Sequence, residues 1–392
     1  MQNHHITFVA NRCCFFLSHR APIAREFIAR GGRAVLLAPQ ATPVESRQIY
    51  GLQLAFQALP FNWRRVRLMD LLRTSLFMWR YSREHRETTW FLIAIIPVLF
   101  CGIPLRLRGR PMIIALSGMG SAFSSTSWKF RLIRPLIRRI YRWMFNAPGS
   151  RVIVQNTQDL ETLARDLRIN RRHIFLVEGS GVDEEAFPFT PLPPMEPAPR
   201  ILVPARLIHE KGIREACQAS RLLSEGGVPH EMIFAGQPDP GNPHSFTAED
   251  IATLAADHPC TRFIGQVDDM ASLLQTCHVV CLPSYREGLP RALIEAFAAG
   301  RAVVTCDTTG CAHLVRHNRN GLLVPVRDGP ALAAALQRLL TDEVLRLRLI
   351  QQAREEFLQT YTLEQVVDKI LKICAASERE RLQEETAPDK AV

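Results

Sequence analysis

The thirteen residues from Phe187 to Pro199 read FPFTPLPPMEPAP, and no other feature limits the fold of this chain so sharply. Proline fixes φ and lacks an N–H. Its density here excludes a helix interior or a central strand and predicts a stiff linker, 188–199. On both sides of the linker, short apolar runs alternate with helical stretches. Before it, Ile6–Ala10 (ITFVA) and Arg33–Ala38 (RAVLLA) read as buried strands around a helix Ala21–Ala29 that ends at Gly31 and Gly32. Pro111–Leu116 and Arg151–Val154 are further strands. After it come strands Arg200–Val203, His230–Ala235, Arg262–Ile264, Val279–Leu282, Ala302–Thr305 and Gly321–Val324. Helices Ile213–Leu223, Met270–Gln275 and Arg291–Ala298 lie between them. Strands alternating with helices predict parallel sheets joined by right-handed crossovers.

The chain has 392 residues, 47% of them hydrophobic, which suits two domains with buried cores. Residues 1–187 are expected to form the first domain and 200–362 the second. A final helix, 363–376, is expected to rejoin the first domain, and the charged tail, 377–392, is expected to be disordered. Charge is unevenly spread: residues 1–190 hold 27 Lys and Arg against 12 Asp and Glu, and the remainder 21 against 26. A basic half on a mildly acidic half points to an anionic partner for the first domain. Trp128–Phe145 concentrates that charge in Arg131, Arg134, Arg138, Arg139 and Arg142.

Ten cysteines in a chain this long do not form a disulfide framework. Cys277, Cys281, Cys306 and Cys311 have metal-like spacing, but Cys281 and Cys306 sit beside or within apolar strand runs that aim them apart. They read as inert reduced thiols of a cytoplasmic protein. The stretch Trp90–Leu105 is uncharged yet shorter than the roughly 20 residues a membrane span needs. It is broken by Pro97, Gly102 and Pro104, and reads as a buried helix leading into a strand, with membrane insertion the minor alternative.

The chemistry concentrates in two segments. In Pro283–Gly300 (PSYREGLPRALIEAFAAG), Glu287 lies in a loop and Glu295 inside the helix that begins near Pro290. The amides of Gly288, Leu289 and Arg291 then belong to a helix start that favours an anion. In Leu202–Ile213 (LVPARLIHEKGI), Arg206 and Lys211 flank a turn at the carboxyl end of a strand, where open α/β sheets bind ligands. Arg206 offers a planar fork for phosphate oxygens and Lys211 a point charge.

These segments, with Phe263–Gly265, Thr309–Gly310 and Asn320–Asp328 (NGLLVPVRD), resemble the second domain of family 4 glycosyltransferases, retaining enzymes of the GT-B fold. FFLSHR at 15–20, SGMG at 117–120, VQN at 154–156 and GSGVD at 179–183 are similar to bacterial enzymes that build polyprenyl-diphosphate-linked surface polysaccharides. The resemblance implies an α/β, GT-B architecture of two Rossmann-like domains facing across a cleft. It implies transfer of a sugar, such as an N-acetylhexosamine, from a nucleotide-sugar donor, UDP-linked, to a lipid-diphosphate-linked acceptor. Arg206 and Lys211 would hold the diphosphate, Glu295 the ribose and Glu287 the sugar hydroxyls, with backbone groups near Ile264–Val267 meeting the base. No metal or other cofactor is implied.

Many relatives carry a histidine where this chain has SGMG, so Ser117 and Gly118 are expected to serve there, and His19 to contact acceptor or sugar. His313 stands where relatives often have an acid and receives no role, and Asp183 reads as a turn-former. An anionic membrane surface is the expected partner of the basic domain, placing the chain peripherally on the inner face of the cytoplasmic membrane. Nucleic acid is not expected, because no recognition motif accompanies the charge. A nucleotide-sugar epimerase and a catalytically silent scaffold of polysaccharide assembly are the competing functions.

Overall fold

The computed structural model describes residues 5–61, 67–116, 128–239 and 242–386. They fall into two compact units, Met1–Ser180 with Val366–Val392, and Gly181–Gln365. The first unit is built on seven parallel strands: β1 His5–Val9, β2 Arg33–Ala38, β3 Ala55–Ala58, β4 Thr88–Ile93, β5 Met112–Ala115, β6 Arg151–Val154 and β7 Ile174–Leu176. The second has six: β8 Arg200–Pro204, β9 Glu231–Ala235, β10 Thr261–Gly265, β11 Val279–Leu282, β12 Ala302–Cys306 and β13 Leu322–Val324. Their spatial orders are β3-β2-β1-β4-β5-β6-β7 and β10-β9-β8-β11-β12-β13. Both orders reverse direction beside the first strand of the unit, as in Rossmann-like sheets.

Helices cover both faces of the second sheet, which is why its strands read as unbroken apolar runs. Alternate side chains feed two cores. Ile201, Val279, Cys281, Val304 and Cys306 pack on one face, and Leu202, Val280, Leu282, Val303 and Phe297 on the other. The cysteine set divides in the same way, with Cys281 and Cys306 on the first face and Cys277 and Cys311 on the second. Burial pushes all four thiols up, Cys306 to about 12 and Cys277 and Cys311 to about 11.

Two stretches differ from expectation. The order within Trp90–Leu105 is reversed: Thr88–Ile93 is a strand and Ile95–Leu107 the helix that follows it. Ala94, at φ 72°, turns the chain between them. Trp90 through Ile93 are fully buried in the sheet, so this stretch does not enter a membrane. Residues 377–386, expected to be disordered, continue the last helix, Leu363–Thr386. Ser377, fully buried, donates to the Gly149 carbonyl at 3.0 Å, and Glu380 pairs with Arg151 at 2.7 Å.

The proline-rich stretch is strapped to the second unit. Fully buried Arg301 donates to the carbonyls of Thr190 (3.2 Å) and Pro191 (3.3 Å), and His278 Nε2 bonds the Pro193 carbonyl at 3.1 Å. A guanidinium offers five donors in a fixed plane, and a chain with few N–H groups presents many unpaired carbonyls. Arg301 and His278 satisfy them.

Candidate functional site

In the second sheet the strand order reverses between β8 and β11, and the chain leaves these neighbours by the turns 205–212 and 283–290. Three glycines bring the turns together. Gly212, at φ 69°, lies so close to Pro283 that a Cβ would stand 2.1 Å from its carbonyl oxygen. Gly310 sits equally tightly over the Gly288 carbonyl, also 2.1 Å, drawing in the turn after β12. Gly236 meets the Ala205 carbonyl at 1.9 Å by the same measure, and its N–H donates to Gly265 at 2.7 Å, adding the ends of β9 and β10. Only glycine fits such approaches. The Tyr285 N–H donates to the Glu210 carbonyl at 2.8 Å and joins the two switch-point turns directly.

This packing places Lys211 Nζ in an ion pair with Glu287 Oε1, both side chains less than a fifth exposed. A buried pair held by two turns is stable only as a pair, because removing one partner strands the other charge away from water. Arg206, more than half exposed, pairs with Asp239 in the loop after β9. Glu295 lies within the helix Arg291–Ala299 and accepts from Arg291 Nε at 2.8 Å. Burial raises the Glu295 carboxyl above the usual carboxylate range, against the pull of Arg291. Pro290 is the N-cap rather than the first helical residue, and no side chain caps the helix start. Within its first turn the Leu293 N–H donates to the Pro290 carbonyl at 3.1 Å.

The Tyr285 hydroxyl donates to Glu215 Oε1 at 2.6 Å, and the Arg327 guanidinium stands 4.8 Å from its ring centre. Burial, then the bond to Glu215, pushes that hydroxyl up to about 12, so it stays a donor. Sequence reasoning missed Tyr285, Glu215 and Asp239. Their partners lie 70 and 33 residues away, beyond any local pattern.

Residues 183–356 match the family model of glycosyl transferases group 1. An N,N'-diacetylbacillosaminyl-diphospho-undecaprenol alpha-1,3-N-acetylgalactosaminyltransferase from Campylobacter jejuni is 26% identical over 289 residues, 71% of this chain and 72% of that protein. The amylovoran biosynthesis glycosyltransferase AmsK of Erwinia amylovora is 31% identical over 44% of each chain, so this chain spans under half of that relative's length. Among solved structures, the Anabaena protein HepE in complex with UDP superposes with a TM-score of 0.77 at 14% identity, covering 96% of this chain and all of that one. The second unit carries a group 1 glycosyltransferase domain.

Two Rossmann-like sheets, superposing over nearly the whole chain on a solved neighbour, give the chain the GT-B fold. Arg206, Lys211, Glu287 and Gly288 are gathered at the carboxyl ends of its strands, with Glu295 one turn into the helix that follows. Leu289 is buried in the core beneath that helix, and Ile264 and Val267 pack against the same core. His19, in the first unit, ends the helix Cys13–His19, stacks on Phe15 at 4.4 Å and bonds Ser18 through Nδ1 at 2.6 Å. Asp183 accepts from the Glu185 N–H at 3.0 Å and forms a turn. Ser117 and Gly118 lie outside the described residues.

Proposed function

We propose that the protein is a retaining glycosyltransferase that moves a sugar, such as an N-acetylhexosamine, from a UDP-linked donor to a lipid-diphosphate-linked saccharide of a bacterial surface polysaccharide. The observation that carries this is the Lys211–Glu287 pair at the reversal of strand order. A donor diphosphate takes Lys211 and Arg206 as counter-charges, and the freed Glu287 accepts the sugar hydroxyls. Glu295, desolvated on the neighbouring helix, accepts the ribose hydroxyls. The bond from the anomeric carbon to the phosphate oxygen breaks as the acceptor oxygen bonds that carbon on the same face. A donor phosphate oxygen takes the acceptor's proton. Catalysis is then positioning and charge stabilisation, with two side-chain cations in place of a metal. The UDP held by HepE and the lipid-linked acceptor named for the Campylobacter relative support this choice of substrates. In this reading the lipid acceptor is met at the inner membrane surface; among the described residues no helix is long and apolar enough to cross a membrane.

The test is calorimetric titration of UDP and UDP-sugars, followed by mass spectrometry of the lipid-linked product and NMR of the new anomeric centre. Inverted configuration removes the retaining mechanism. Conversion of the donor sugar without acceptor makes the protein an epimerase. Loss of turnover on adding a chelator overturns the metal-free step.

A further inference from the structure

Between Glu87 and Asp159 the chain has no carboxylate side chain but ten Lys and Arg. Within this segment the helix Ile95–Leu107 packs beside the helix Leu68–Glu84. That helix buries Leu71, Thr74 and Met78, yet its other side leaves Leu68 70%, Met69 62%, Leu72 53% and Leu76 52% exposed, a stripe at helical spacing. The stripe runs into Trp79, 38% exposed, whose ring lies 3.8 Å beneath the Arg108 guanidinium. Next to Arg108, Leu107 is 61% exposed, and Arg106 stands 5.2 Å over the ring of Trp143. The surface is thus continuous, with two half-exposed tryptophans each carrying an arginine and an apolar ridge between and beyond them. Arg138, Arg139 and Arg142 are exposed on the helix of Trp143.

We infer that this face docks the protein on an anionic lipid bilayer, with Leu68, Met69, Leu72, Leu76 and Leu107 entering the headgroup boundary and the arginines meeting phosphates. It rests on the membrane-linked acceptor proposed above and names the surface that reaches it. Charge selects an anionic partner, and the apolar stripe selects lipid over nucleic acid, which has no counterpart for exposed leucines. Tryptophan and arginine side by side suit the interface, where one end is apolar and the other wet. The helix spans 17 residues and carries five arginine or acidic positions along its length, so it lies in the membrane plane and does not cross it.

The experiment is co-sedimentation of the full chain with phosphatidylcholine vesicles, with and without phosphatidylglycerol, at low and high salt. Wild type is expected to bind only the anionic vesicles and to be released by salt. The double variant L72E/L76E, changed at exposed positions, is expected to lose at least about tenfold in partitioning. The control V344E, an exposed valine of the second unit, is expected to bind as wild type does. Unaltered circular dichroism and unaltered UDP affinity would show that the variant is folded. Equal vesicle binding by wild type and L72E/L76E overturns the assignment. So does a wild-type dimer that the variant dissolves, since the face would then hold a second copy. If vesicle binding follows this pattern but no UDP-sugar is bound, the docking face stands and the glycosyltransferase reading fails.

Discussion

After β1 the first unit runs through Ala10–Arg12 into a seven-residue helix, Cys13–His19, while after β8 the second runs through Ala205–Gly212 into the helix Ile213–Glu225. The two places are topologically equivalent, each at the reversal of strand order. Their equipment differs. In the first unit, Cys13 is buried, bonds the Pro39 carbonyl and is pushed up to about 12. Arg20 beyond it is 1% exposed, and burial pulls its pKa down to about 10. In the second, the turn carries Arg206 and Lys211, faces Glu287 and is brought close by glycines. One topology therefore carries two differently equipped turns, and the side chains, not the topology, set what each can hold.

The hardest blow to that contrast is Lys211→Ala. It removes a phosphate counter-charge and strands Glu287, and should lower kcat/KM by about 100-fold or more. Arg12→Ala, at the equivalent turn of the first unit, which the proposed diphosphate site does not use, should leave UDP affinity within about threefold. Equal losses of UDP affinity, read by calorimetry, would end the distinction between the two turns.

Next in size is Gly310→Ala. Its Cβ would meet backbone, the carbonyl oxygens of Gly288 at 2.1 Å and Glu287 at 2.6 Å, so the loop must move. Overpacking of this kind costs about 1–3 kcal/mol and should weaken UDP binding roughly tenfold. Gly51→Ala in the first unit meets nothing within 4 Å and should leave binding unchanged and thermal stability equal or slightly raised. A smaller effect is expected of Tyr285→Phe, which deletes the hydroxyl's bonds to Glu215 and Arg327. About 1 kcal/mol of stability should go, with a few-fold rise in the donor KM and little change in kcat. A fall in kcat at constant KM would instead place the hydroxyl in the chemical step.

The same contrast decides how much was legible beforehand. Strands of the second sheet, buried on both faces, stand out as apolar runs, and β11 lies within the bounds its sequence predicts. Charged side chains at their carboxyl ends are equally visible. In the first unit, the uncharged run Trp90–Leu105 spans the end of a strand and most of a helix, so periodicity cannot separate the two, and only Ala94 at φ 72° marks the change. β3 is exposed and four residues long, with no pattern to announce it. The tail past Ala376 reads as disordered from its charge, because Ser377 and Glu380 find partners more than two hundred residues away. Long-range pairs of this kind leave no local trace.

The finest test uses Glu295, whose carboxyl pKa is raised by burial. Its folded carboxyl titrates above the ordinary value of 4.5. Below that ordinary value the group is protonated in folded and unfolded chains alike and adds no pH dependence. Between the ordinary and the raised value the folded chain holds more protons than the unfolded one, so stability falls as pH rises through this window. Glutamine carries no titrating proton, so Glu295→Gln removes this term. The weakened bond to Arg291 adds an offset that does not change with pH. Denaturant melts at a series of pH values should therefore show the variant gaining on wild type from acid toward neutral pH, while its UDP affinity falls. A variant that loses ground toward neutral pH would mean that Arg291 outweighs desolvation. Glu295 would then be a structural ion pair and not a ribose acceptor held ready at a cost in stability.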